Sequence, residues 1–232
     1  MTTQPPPDGA RAPDPEARGL PLVIVLLGLT VVSGIIDAVS YLGLGHVFTA
    51  NMTGNVVVLG FAAAGAPGFT VTHTAASLAA FLLGAVAGGR VAARFGGGSR
   101  RAWARGTLAA EAVLVGASAA IAHAAPGARG TAYALIVLTA FAMGLRNATV
   151  RKLGVPDLTT TVLTMTLTGL ASDSRAGGGS GRRSPRRTAA VVAMLAGAVL
   201  GAWLVVRGHL ATALLIAAAA TGVLAVATSG RE

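Results

Sequence analysis

The sequence predicts an all-α integral membrane protein: six transmembrane helices plus two short re-entrant or half-helices, arranged as an inverted internal repeat. Three observations lead there. Hydrophobic residues make up 53% of the 232-residue chain and charged residues only 11%, far below the roughly one quarter usual in soluble domains. Six apolar stretches are long enough to cross a bilayer, for which about 20 residues suffice. The positive charge lies in short clusters between those stretches.

The chain opens on MTTQPPPDGARAPDPEARG, rich in Pro, Ala and charge. That composition predicts a disordered tail over 1–19. The apolar run that follows is too long for a signal-peptide core and lacks a convincing small-residue cleavage site, so it is expected to remain as a helix. Two membrane units follow, 20–124 and 131–228. The spans are placed at Leu20–Leu44, Val71–Phe95, Ala102–Ala124, Thr131–Val150, Thr188–Val206 and His209–Ala227. Asn51–Ala66 and Leu158–Ala171 are shorter, with a polar first half and a brief apolar second half. Apolar stretches of about 10–14 residues are more often re-entrant or buried than spanning.

Charge distinguishes the two topologies. If all eight segments spanned, the cluster Arg90, Arg94, Arg100, Arg101 and Arg105 would face the opposite side from Arg182, Arg183, Arg186 and Arg187. If the two short segments dip in and return, both clusters face the cytoplasm, together with Arg146, Arg151, Lys152 and both termini. That is the arrangement the positive-inside rule favours. It predicts a multi-pass protein of the inner (plasma) membrane, with Arg129 left outside and Arg207 near the end of a span. The Gly/Ser-rich basic stretch 172–187 is expected to be a flexible cytoplasmic loop. The net charge of +10 is thus a topology signal, and nucleic acid is not an expected partner. With no cysteine there is no disulfide or thiolate chemistry. No metal-ligand spacing, Walker loop or hydrolase triad occurs, so neither metal nor cofactor is expected, and the chain is not expected to be an enzyme.

The two units match in sequence. Gly34-Ile-Ile-Asp37-Ala38 corresponds to Gly144-Leu-Arg-Asn147-Ala148, and TANMTGNVVVLG from Thr49 to TTTVLTMTLTG from Thr159. LLGAVAGG from Leu82 corresponds to LAGAVLGA from Leu195, aligning Gly84 and Gly88 with Gly197 and Gly201 at offsets that drift only from 110 to 113. An odd number of spans per unit makes the copies inverted, as in many secondary transporters. The paired small residues are faces on which helices pack closely.

Candidate site residues fall in the first span and the short segments. Asp37 is a carboxylate at membrane depth, where acids are costly and usually face a cavity or a partner. It is either a proton or cation site or a brace for the Asn51–Asn55 turn. Tyr41 is its neighbour, and Asn147 its neutral counterpart in the second unit. Asn51, Thr53 and Asn55 come from the first short segment, and Thr159, Thr160, Thr161 and Thr164 from the second. Asp157, after Pro156, is placed to cap the helix expected from Leu158. Two short helices starting at mid-membrane would aim their N-terminal amides at a shared centre and favour an anion or polar solute. Threonines bonded to their own helix backbone are the alternative. Glu111 is either a second coupling acid or a partner of Arg105. Arg146 either snorkels to the interface or pairs with Asp37.

GIIDAVSYLGLGHVFTANMTGNVVVLG together with FAMGLRNATVRKLGVPDLTTTVLTMTLTGLASD resembles the YoaK-like family of bacterial membrane proteins, a family of unknown function. The resemblance implies a membrane fold and assigns no activity. The residues themselves lead to secondary transport of a small polar or anionic solute, coupled to protons through Asp37. The rivals are a non-transporting scaffold or subunit of a larger membrane complex, which need not differ in fold, and a membrane-embedded enzyme, which lacks a cluster of acids or histidines. The expected partners are the lipid bilayer and a small polar or anionic solute with a proton, and a homo-oligomer is compatible with the sequence.

Overall fold

The computed structural model describes residues 20–95, 100–128, 130–153, 163–182 and 184–227. The expected 1–19 tail lies outside them. Eight helices make up the described chain: α1 (Leu20–Gly43), α2 (Met52–Ala63), α3 (Val71–Phe95), α4 (Arg100–Ala124), α5 (Thr131–Leu153), α6 (Thr164–Ser172), α7 (Ser184–Val206) and α8 (Leu210–Ala227). Six of them, all but α2 and α6, are long and apolar enough to cross a membrane. The expected spans are all found. α5 runs on to Leu153 past the expected Val150, and α7 begins at Ser184, so the last residues of the basic 172–187 stretch are helical.

α1 and α5 form the centre, with 61% of the apolar window of each buried, against 28% and 22% for α3 and α7. Apolar side chains gain little by leaving lipid for protein, so close packing is what holds such helices together. Glycines supply the closeness. A methyl group at Gly84 of α3 would collide with the Phe141 carbonyl of α5, and one at Gly144 of α5 with the Phe81 carbonyl of α3. The same happens between α1 and α7, where Gly197 faces the Val31 carbonyl and Gly34 the Met194 carbonyl. One turn on, a methyl at Gly88 would lie 2.8 Å from Leu145 O, and one at Gly201 2.8 Å from Ile35 O. Residues 31–40 and 141–150 also bury the same positions in the same order.

These contacts fix the directions. α3 runs parallel to α5 and α1 parallel to α7, since in each pair later residues of one meet later residues of the other. α4 and α8 are antiparallel, with Gly116 close to Ala218 and Gly222 close to Ala112. Gly28 of α1 abuts Leu224 of α8, so the first span begins at the end of the bundle where the last one finishes.

α2 has 12 residues, about 18 Å of helix, too short to cross about 30 Å of hydrocarbon. Its flanks meet at one end of the bundle. His46 Nδ1 lies 3.1 Å from the Gly68 carbonyl oxygen, and the His46 ring packs on Phe69 at 5.7 Å. The chain therefore leaves α1 and enters α3 at the same end of the bundle. The reversal after α1 needs left-handed backbone at Gly45 (φ 88°) and His46 (φ 58°). His46 N–H donates to the Tyr41 carbonyl and closes the helix end.

Candidate functional site

A cavity of about 590 Å³ lies between α1, α7 and the first turns of both short helices. Asp37 and Tyr41 line it from α1, Asn51 and Thr53 from the start of α2, and Thr164 from the start of α6. Gly34, Met194 and Ala198 form its closely packed apolar wall. The described first turns of the two short helices border one shared space.

Asp37 shapes one edge. It sits six residues before the end of α1, about 9 Å along the helix axis. Its Oδ1 accepts from the Ala50 N–H at 2.9 Å, and the amides of Thr49 and Asn51 also face the carboxylate. The acid therefore draws the descending chain back into the bundle just ahead of α2. The Ala50 bond to the carboxylate is charge-assisted and so stronger than one between neutral groups. Next to it, Asn51 Oδ1 accepts from Gly54 N–H at 3.3 Å and caps α2. Asp37 is at once a brace for this turn and a polar group in the cavity wall.

The remaining expected residues divide. Asn55 does not reach the cavity and is fully buried. Its Oδ1 accepts from Phe48 N–H at 2.8 Å, and its Nδ2 donates to Phe48 O and to Ser77 Oγ at 3.1 Å. It holds the loop against α3. Asn147 is not part of the lining; its side chain donates to the Met143 carbonyl of its own helix at 2.8 Å. Asp157, Thr159, Thr160 and Thr161 lie outside the described residues. α6 opens with Leu163 at its N-cap, and among the described residues no side chain caps its first amides.

The sequence reading named Arg146 and Glu111 but did not pair them with each other. Arg146 neither snorkels nor bonds Asp37, and Glu111 does not pair with Arg105. Instead Arg146 Nη1 donates to Glu111 Oε1 at 3.0 Å, with both side chains fully buried. Arg146 also donates to Ser33 Oγ (2.5 Å) and the Leu29 carbonyl (3.3 Å) of α1. Thr221 of α8 lies 3.5 Å from the same glutamate oxygen. Four helices converge on this pair. The available signal was that isolated charges of opposite sign at mid-span must find each other, but sequence alone does not say which acid the arginine takes.

Among the described residues no group of three His, Cys, Asp or Glu side chains could hold a metal ion. At the other end of α6, Arg187 of α7 donates to the Gly169 carbonyl and to Asp173 Oδ2 (2.7 Å), fastening the C-terminal turn of α6 to α7.

Comparison with known proteins agrees with the membrane architecture and assigns no activity. A family model described as "Protein of unknown function (DUF1275)" matches residues 25–227. The chain is 34% identical over 148 residues to the UPF0700 transmembrane protein YoaK of Bacillus subtilis (strain 168), a match that covers 62% of this chain and 64% of that protein. No solved structure matches.

Proposed function

The chain belongs to the DUF1275 family, a family of membrane proteins of unknown function, and from its own geometry we propose that it is a secondary transporter of a small polar or anionic solute. The observation that carries this is the cavity that brings Asp37, Tyr41, Asn51, Thr53 and Thr164 together between the first turns of two short helices. Short helices that start inside a membrane bundle present polar backbone where the surroundings are otherwise apolar, the arrangement of many secondary transporters. The amides ahead of α2 are engaged by Asp37. The solute's acceptor or anionic end is accordingly directed to the first amides of α6, and its donors to Asp37 and Asn51.

The inverted repeat belongs to this reading. Its support is that helix contacts repeat when the units are exchanged: α3 meets α5 as α7 meets α1, and α4 meets α5 as α8 meets α1. The glycine contacts follow the same exchange residue by residue. Three spans per unit make the copies opposite in direction, and rocking of one unit against the other would open the cavity to either side. With Arg146 withdrawn into the bundle, the basic residues around 90–105, 151–152 and 175–187 support a cytoplasmic, inner-membrane orientation for their shared end and both termini.

The Asp37 brace favours one other reading, a scaffold without transport. A thermal-shift screen of the detergent-purified chain against small polar metabolites and anions separates the two, run beside Asp37→Asn and Thr53→Val. A solute that stabilises the wild type and loses its effect in Thr53→Val supports transport. If no solute shifts any of the three while Asp37→Asn alone melts lower, the scaffold reading replaces it.

A further inference from the structure

Around Ser33 of α1 gather three ionisable side chains: Glu111, Arg146 and, one helical turn along α1, Asp37, which lies within electrostatic reach of the same guanidinium. Two acids and one base leave an uncompensated negative charge at membrane depth, which buried ionisable groups seldom carry. One bound proton would neutralise the set.

The hydrogen bonds indicate where that proton goes. Asp37 already receives backbone N–H donors. Glu111 Oε1 receives Arg146, but Glu111 Oε2 is buried and has no hydrogen-bond partner. The Nε of Arg146 is likewise buried and unpartnered, so the guanidinium has donor capacity beyond its present acceptors.

We propose that Glu111 is a proton-binding site at the centre of the bundle, its free Oε2 taking up a proton that releases Arg146 toward Asp37. In this step an O–H bond of hydronium breaks as one forms at Oε2, water leaves, and Glu111 changes from carboxylate to neutral acid. Arg146 stays cationic and loses its ionic partner. Ser33 and Asp37 are four residues apart on α1, neighbours on a helix surface, so the guanidinium bound at Ser33 has the second acid within one turn. That acid lines the cavity. The proton is thereby linked to the solute site, a step that rests on the transport reading, whereas proton binding itself does not.

The groups facing Glu111 are few. α5 supplies Arg146 and α8 the hydroxyl of Thr221. α8 contains no ionisable residue, and α1 contributes Asp37 and Tyr41. The ionisable residues of α3 (His73, Arg90, Arg94) and the others of α4 (Arg100, Arg101, Arg105, His123) lie toward the ends of those helices.

The test is infrared difference spectroscopy of the full chain in liposomes, titrated with acid and compared in light and heavy water. The expected result is a protonated-carboxyl band, slow to exchange in heavy water, present in wild type and Asp37→Asn and lost in Glu111→Gln. Glu111→Asp should keep a displaced band. If Glu111→Gln fails to fold, the doubly neutral Glu111→Gln/Arg146→Met takes its place, with the same loss expected. A band that disappears with Asp37→Asn instead, or no slowly exchanging band in wild type, overturns the proposal. Solute-induced thermal shifts on the same preparations keep the two ideas apart. A Glu111 band without any solute effect leaves the proton site and removes transport, and a solute effect without the band does the reverse.

Discussion

The Arg146 guanidinium and the Glu111 carboxylate, 35 positions apart in sequence, meet at 3.0 Å with neither side chain exposed. Removing one partner strands the other charge away from water, at a cost of about 3–5 kcal/mol, whereas replacing both with apolar residues of similar volume is often neutral or stabilising. Arg146→Met and Glu111→Leu should each lower unfolding stability in mild detergent by that order, and the double variant should recover most of the loss. A double-variant loss equal to the sum of the two single losses would mean that the pair does not act as a unit.

Glycine substitutions should separate into two classes. At Gly84 and Gly197 an added methyl meets the backbone carbonyls of Phe141 and Val31, whereas at Gly60 of α2 nothing lies within 4 Å. Overpacking costs about 1–3 kcal/mol, while Gly→Ala in an open helix interior gains roughly 0.5–1 kcal/mol. Gly84→Ala and Gly197→Ala are expected to lower the melting temperature, and Gly60→Ala to leave it unchanged or raise it. Because Gly84 and Gly197 approach backbone carbonyls equally closely, losses of similar size are expected from both.

The loop between α1 and α2 rests in part on one amide. Asn55 satisfies both backbone groups of Phe48 and also bonds Ser77. Asn55→Ala leaves the Phe48 N–H without that acceptor in a buried place, and such losses cost about 1–3 kcal/mol. The expected readout is faster hydrogen exchange across Phe48–Val58 with little change in α5 or α8. Uniform acceleration over the whole chain would show that the loop does not open separately.

Much of this was legible before any coordinates. The six spans follow from apolar run length, and the glycine contacts follow from the GxxxG spacing that aligned Gly84 and Gly88 with Gly197 and Gly201. Asp37, Asn51 and Thr53, which line the cavity, stood out in the sequence because polar residues at membrane depth contrast with an apolar background. Asn55 belongs to the same motif, yet its side chain turns inward to Phe48, and a motif does not say which of its polar members faces a cavity. Arg146 and Glu111 were legible as costly groups but not as a pair, because 34 intervening residues and a helix reversal determine which turns of α4 and α5 face each other.

Arg187 should matter more than its partner Asp173. Arg187 is buried and bonds the Gly169 carbonyl as well as Asp173, whose side chain is 58% exposed. Exposed ion pairs contribute little and weaken in salt, whereas the Gly169 carbonyl, which also accepts the Asp173 N–H at 3.2 Å, takes a charge-assisted bond from a buried guanidinium. Arg187→Gln is expected to loosen α6, seen as faster exchange over Leu167–Ser172, while Asp173→Asn has a small effect that disappears at high salt. Equal effects would place the anchorage in the ion pair and not in the carbonyl bond.

The absence of cysteine from the sequence allows the cavity to be mapped one thiol at a time. Thr53 and Thr164 are exposed residues on its wall, whereas Ser33 and Asn55 are fully buried. Thr53→Cys and Thr164→Cys should react with a small membrane-impermeant thiol reagent, and Ser33→Cys and Asn55→Cys should stay protected until the protein is unfolded. Alternating access adds a further requirement: reagent applied from either side of an oriented vesicle should reach Thr53→Cys, and a bound solute should slow both reactions. Labelling from one side alone, unchanged by any solute, would describe a fixed surface recess, and transport through this cavity would be excluded.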